Sequence, residues 1–230
     1  METLEAINAR RSVRKYMDRP VEFEKVTNII DAATKAPSAG NLQAWKFILV
    51  TDRGMITQVS KYSIEQYWIQ TAPVVIIVCA VPEKPEMYYG LRGKRLYNIQ
   101  DCAAAIENIL LAATDAGLGS CWVGAFEEDK IRSLFAIPAD VRPQAIITLG
   151  YSDEVPKERS LSSIENSVFF NRYGVRVEKL HVLLRDYSVE WQKQGENIKH
   201  SMNRPIGRIR EEFHRIRGNI RDRFKKKEKK

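Results

Sequence analysis

Between Tyr97 and Ala116 the chain sets Ala, Leu, Ile and Cys on nearly every face of a helical wheel, and the pattern stops at Gly117 and Gly119. A helix apolar on so many faces cannot lie on a wet surface, so it must run through a domain centre or sit in a subunit interface. Two β-rich apolar runs, Trp45–Val50 and Val74–Val81, offer it a sheet to pack on, the second opening at Pro73. Val21–Ala36 has helical spacing through Val26, Ile29, Ile30 and Ala33, and ends at Pro37, which disfavours further helix. A strand at Ser120–Val123, a helix at Glu128–Phe135 and a strand at Gln144–Leu149 complete an α+β order. Nothing repeats at a fixed period, which argues against a solenoid.

The chain of 230 residues is long enough for a sizeable core, and one domain with an appendage is expected. Its net charge of +8 is uneven: residues 204–230 hold 12 Lys and Arg against 4 Asp and Glu, leaving 25 of each sign in residues 1–203. The body is therefore neutral and the tail alone makes the protein basic. No N-terminal stretch has the layout of a signal peptide, and the apolar run at Val74–Val81 is too short to span a bilayer. A cytoplasmic protein is expected. Cys79, Cys102 and Cys121 are odd in number and widely spaced, which points to buried thiols in a reducing compartment, with Cys121 alone near a candidate site. No metal site is predicted.

Two short segments carry the chemistry. Arg10-Arg11-Ser12-Val13-Arg14 packs three cations and a hydroxyl into five residues, directly after a short amphipathic stretch containing Leu4 and Ile7, and suits a phosphorylated ligand. Pro37-Ser38-Ala39-Gly40-Asn41-Leu42-Gln43-Ala44-Trp45 combines small residues that let a backbone come close with two amides. An amide donates and accepts at once, so Asn41 and Gln43 suit the polar edge of a flat heterocycle. Each segment has a plainer reading: an arginine cluster is commonly a solvated face, a glycine pair after a helix is commonly a C-cap, and Trp45 and Trp122 fit a core or an interface.

Together, the two segments resemble elements of the flavin-binding nitroreductase family. The resemblance continues through Gln100-Asp101, the run Gly117–Phe126, Leu149-Gly150-Tyr151 and Pro156-Lys157-Glu158-Arg159, in the family's order over about residues 1–174. Ala44 stands where the family usually has proline, and Ala39 where serine is common. The resemblance implies an α+β, nitroreductase-like fold with a mixed, mainly antiparallel central sheet flanked by helices, in an entwined homodimer with FMN at the subunit interface. On that basis Arg10, Arg11, Ser12 and Arg14 come from one subunit, Pro37, Ser38, Asn41 and Gln43 from the other, and Lys157 and Arg159 return to the phosphate. Arg14 would reach the pyrimidine side of the flavin, and Val123 and Gly124 would lie against the ring. NADH or NADPH would donate a hydride in a ping-pong cycle, and a nitroaromatic, a quinone or a similar small molecule would accept. No catalytic acid or base is assigned, because the flavin carries the chemistry. Gly117-x-Gly119 is no dinucleotide fingerprint, since it lacks the third glycine and follows a helix.

Residues 175–230 read as a helical basic extension outside that core. Val177, Leu180, Leu184, Tyr187 and Trp191 form one apolar stripe, and Ile206, Ile209, Phe213, Ile216 and Ile220 form another after a break near Gly195–Pro205. Three readings are open for 204–230: packing on the body, docking to an anionic membrane surface, or contact with an acidic partner. Nucleic acid is disfavoured because few aromatics interleave the basic run. The alternative to an enzyme is a flavin-binding sensor whose tail docks to a membrane or another macromolecule, giving a peripheral location. Residues 83–95, with Tyr88, Tyr89, Arg92 and Arg95, are the expected lid.

Overall fold

The computed structural model describes residues 1–176, so the tail stripes and the basic segment 204–230 lie outside the described residues. The chain divides after Arg159 into a unit Met1–Arg159 and a second unit beginning at Ser160. In the described part of the second, a 3-10 turn spans Ile164–Asn166, the Phe169 and Tyr173 rings sit 4.8 Å apart, and the Arg176 guanidinium lies over Phe169.

The first unit runs α1 Thr3–Ala9, α2 Phe23–Thr34, β1 Trp45–Val50, α3 Arg53–Tyr62, β2 Val74–Ala80, α4 Glu83–Arg92, α5 Asn98–Asp115, β3 Gly119–Val123, α6 Glu128–Leu134 and β4 Arg142–Gly150. The four strands form one sheet in the order β1-β2-β4-β3, every neighbouring pair antiparallel. The parallel component expected from the sequence is limited, among the described residues, to a single bridge between Ser12 and Ser120. All seven residues of β2 are buried, because this inner strand is covered on both faces. That is why its sequence is continuously apolar and does not alternate.

One face of the sheet packs on α2 and α5. Ile76, Val78, Ala80, Ala145, Ile147 and Leu149 meet Val26 and Ile29 of α2 and Cys102, Ala105, Ile106 and Ile109 of α5. On the other face Val75, Ile77 and Ile146 meet Ile56 and Val59 of α3, Ile69, and Ile131 of α6. The long apolar helix thus lies in the domain's own core. Each fully buried aliphatic side chain contributes about 1.5–3 kcal/mol of transfer free energy, so the two faces form the main favourable store of the unit. The cysteines follow from this placement: all three are buried, and burial pushes the Cys79 thiol up to about 11 and Cys102 to about 12. Among the described residues no group of three His, Cys, Asp or Glu could hold a metal, and no helix is long and apolar enough to cross a membrane.

Local signals explain the boundaries. Asp52 caps α3 by accepting the Met55 N–H at 2.7 Å, a signal present in the sequence although no helix is predicted there. The ladder between β2 and β4 shifts register between Val78 and Cys79, where the facing residue is Pro143. Proline has no N–H to give a ladder, so the register breaks there. At the opposite edge Gly119 and Gly150 face one another across β3 and β4. A Cβ on Gly119 would lie 2.8 Å from the Val13 side chain, and one on Gly150 would lie 2.6 Å from Pro73 and 2.8 Å from Tyr16. Their bare backbones let the segment Ser12–Tyr16 press onto the sheet edge. Beneath it the Tyr16 hydroxyl lies 2.7 Å from both the Val13 carbonyl and Thr148 Oγ1, so the buried phenol is satisfied and its ionisation is strongly opposed by burial.

Gly119→Ala and Gly150→Ala are each expected to lower stability by about 1–3 kcal/mol through overpacking, read as a drop in midpoint in chemical denaturation. Tyr16→Phe leaves the packing in place and removes only the hydroxyl, so its expected loss is about 1–2 kcal/mol with an unchanged denaturant slope.

Candidate functional site

The segment that Tyr16 anchors carries the cations. Helix α1 is closed at its start by Glu5, whose carboxylate accepts the Glu2 N–H at 3.1 Å. At its other end the unpaired carbonyls of the last turn face the cations: Arg159 donates to Ile7 O at 2.8 Å, and Arg11 donates to the carbonyls of Asn8 and Arg10. Cations at a helix C-terminus are favoured by the backbone dipole. Arg10 pairs with Glu107 of α5 at 3.6 Å. The chain then enters the Ser12–Ser120 bridge, and the Arg14 N–H donates to Glu154 Oε1 at 2.6 Å.

These contacts bring the N-terminal cations and the segment 154–159 around one cavity of about 510 Å³, lined by Arg10, Arg11, Ser12, Arg14, Lys157 and Arg159 with Glu154 and Glu158. Five cations meet two carboxylates there. The Arg14 guanidinium lies 5.9 Å from the centre of the Trp68 ring, while Lys157 has no ion pair among the described residues. Three of the five cations thus do structural work at α1 or α5, and two remain for a ligand. Glu154 and Trp68 were missed by sequence reasoning. Nothing local marks either, since chain folding alone brings Glu154 to the cavity and Trp68 to Arg14.

The second predicted segment forms a separate feature. Pro37 follows α2, Ser38 is extended, and a 3-10 turn spans Ala39–Asn41. Three residues here have left-handed backbones: Gly40 at φ 57°, Asn41 at 56° and Gln43 at 50°. Local bonds tie the loop to itself, with the Gln43 N–H donating to Ser38 Oγ at 3.0 Å and the Gln43 amide donating to Asn41 Oδ1 at 3.2 Å. Two outside elements press on it. Asp101 of α5 accepts the Ala39 N–H at 2.9 Å, and a Cβ on Gly40 would collide with the Tyr89 hydroxyl of α4. The Asn41 and Gln43 side chains are exposed, and neither lines the cation cavity.

Val123 ends β3 with its side chain buried, and Gly124 beyond it is exposed. The turn after them is held from the other side: Gln66 donates to the Ala125 carbonyl at 3.1 Å, and the Glu127 N–H donates to the Tyr62 carbonyl at 2.8 Å. The segment expected to be a lid is α4, broken at Gly90, with Met87, Tyr88 and Leu91 more than half exposed. Tyr89 stacks edge-on against Tyr97 at 5.3 Å.

A cation cavity, an amide-bearing loop and a pinned turn at the end of a strand are carried by one antiparallel sheet, and comparison with known proteins assigns the chain itself to a family. The chain matches the nitroreductase family model over residues 7–68 and 56–151. It is 42% identical over 165 residues to a protein of Methanothermobacter thermautotrophicus, provisionally named NADH dehydrogenase/NAD(P)H nitroreductase, covering 70% of this chain and 83% of that one. It is 30% identical over 173 residues to the FMN reductase [NAD(P)H] of Bacillus subtilis, covering 69% of this chain and 68% of the relative. Among solved structures, an FMN-dependent nitroreductase of Clostridium difficile is similar with a TM-score of 0.64 and 31% identity, covering 74% of this chain and 99% of that chain. The chain belongs to the nitroreductase family.

Proposed function

We propose that the protein is an FMN-dependent oxidoreductase that takes reducing equivalents from NADH or NADPH and delivers them to a small acceptor such as a nitroaromatic or a quinone. The observation that carries this reading is the cavity of Arg10, Arg11, Ser12, Arg14, Lys157 and Arg159, whose donor set fits a phosphate monoester. When bound, FMN would supply the two-electron redox chemistry of a ping-pong cycle between the nicotinamide donor and the acceptor.

The chain's own residues bind and orient. Lys157 and the Ser12 hydroxyl hold the phosphate, while Arg10, Arg11 and Arg159 raise the local positive potential from positions already fixed on α1 and α5. Arg14, braced over Trp68, provides a cation for negative charge on a reduced ring. Pro37, Ser38, Asn41 and Gln43 shape the loop that offers amides to the heterocycle, and Val123 and Gly124 give the ring a close backbone neighbour. Because that loop does not line the cation cavity of its own chain, the site is completed by a second copy, in a homodimer. The exposed Met87, Tyr88 and Leu91 of α4 supply apolar surface for such pairing. Residues 1–174 form the flavin domain in this reading, and 175–230 an extension.

The test begins with the absorbance spectrum of the purified protein and its anaerobic titration with NADH and then NADPH. A flavin spectrum bleached by either donor is expected, followed by reoxidation on adding a quinone or nitro compound. Tight flavin without bleaching would favour a sensor, and protein that stays colourless after FMN is added would end the proposal. Lys157→Ala is expected to weaken FMN binding by about tenfold or more, as for loss of one charge-assisted hydrogen bond, without changing thermal stability. Arg14→Ala should retain FMN but lower its midpoint potential, measured by equilibration with a reference dye.

A further inference from the structure

Asp101 is a buried carboxyl group on the long core helix to which the reading above gives no task. Only 5% of the residue is exposed, and its carboxylate makes one hydrogen bond, from the Ala39 N–H to Oδ1 at 2.9 Å. Its second oxygen, Oδ2, is buried without a partner among the described residues. Burial pushes the carboxyl above its ordinary range, and the Ala39 N–H offsets this only in part. A side chain so costly to bury adds little to stability by itself. Its single bond, however, lands on a strained stretch of backbone at the site.

That stretch has three left-handed residues within four positions, two of them not glycine. A non-glycine residue in this region is disfavoured, so the loop adopts the shape only because surrounding contacts impose it. Ser38 and Gln43 bind within the loop and move with it. Tyr89 presses on Gly40 without a directional bond. Asp101 is different: it is anchored in α5, whose neighbouring Cys102 and Ala105 are fully buried, and it holds the N–H immediately before Gly40 and Asn41.

We propose that Asp101 is a positioning residue, whose carboxylate holds Ala39 and thereby sets the backbone from which Asn41 and Gln43 present their amides to the flavin ring. This rests on the FMN reading for the ligand, but the contact and its effect on the loop do not. The helix supplies a rigid post, and the loop conformation is paid in advance, so that ligand binding need not order it.

Hydrogen exchange of residues 37–45 in the flavin-free protein and FMN affinity of the full chain test this together. Asp101→Ala should speed exchange of the loop amides by about tenfold and raise the FMN dissociation constant by a similar factor. Asp101→Asn keeps an acceptor in place and should restore both to within about threefold. Ala39→Pro removes the donor without touching α5, at a first helical position that tolerates proline, and should weaken FMN as much as Asp101→Ala. The double variant should be no weaker than either single one, because both delete the same bond. If Asp101→Ala does not fold, Asp101→Asn and Ala39→Pro carry the comparison. Unchanged loop exchange in Asp101→Ala, an asparagine variant as weak as alanine, or additive losses in the double variant would each overturn the proposal. Failure of the unmodified protein to bind FMN would sink the functional reading instead, and the exchange comparison would still decide the role of Asp101.

Discussion

Burial of β2 on both faces is the constraint on which the rest of the first unit depends. An inner antiparallel strand with no wet face needs a helical layer on each side, and α2 with α5 on one face and α3 with α6 on the other meet that need. Once those layers are in place, the ends of the strands and helices are fixed relative to one another. The functional segments are the connections between them, so their positions are inherited from core packing.

Two kinds of attachment convert that rigid body into a site. At the β3–β4 edge the attachment is steric: paired glycines admit Val13 and Tyr16, and the buried Tyr16–Thr148 contact locks the segment whose next residues are the cations. At the loop after α2 the attachment is polar, with one carboxylate from α5 holding one backbone N–H. Both place charge or strain next to well-packed apolar structure, and both use groups that a solvent-facing loop could not hold still. The cations themselves divide between structure and ligand. Arg10, Arg11 and Arg159 are engaged at α1 and α5, which fixes their positions before any anion arrives.

Much of this order is legible in residue patterns. The apolar runs at Trp45–Val50 and Val74–Val81, the amphipathic stretch ending before Pro37, and the apolar helix from Tyr97 each report their own secondary structure, because periodicity acts over a few residues. α3 was missed although Asp52 marks its start, since it is shorter and carries fewer apolar residues than α2 and α5. Gly119 was legible only as part of a possible cap. Its packing against Val13 depends on a residue more than a hundred positions away.

By itself, then, the sequence determined the main strands and helices of the core other than α3, the neutral body with its basic tail, and the two motif segments that suit a phosphorylated, heterocyclic ligand. The tertiary structure alone decided that residues 10–14 and 154–159 share one cavity, that the amide loop lies apart from it, and that Asp101 holds Ala39. The reason is range. Propensity, capping and periodicity act between neighbours, whereas these contacts join residues 62 and 140 positions apart and exist only once two covered sheet faces bring distant loops together.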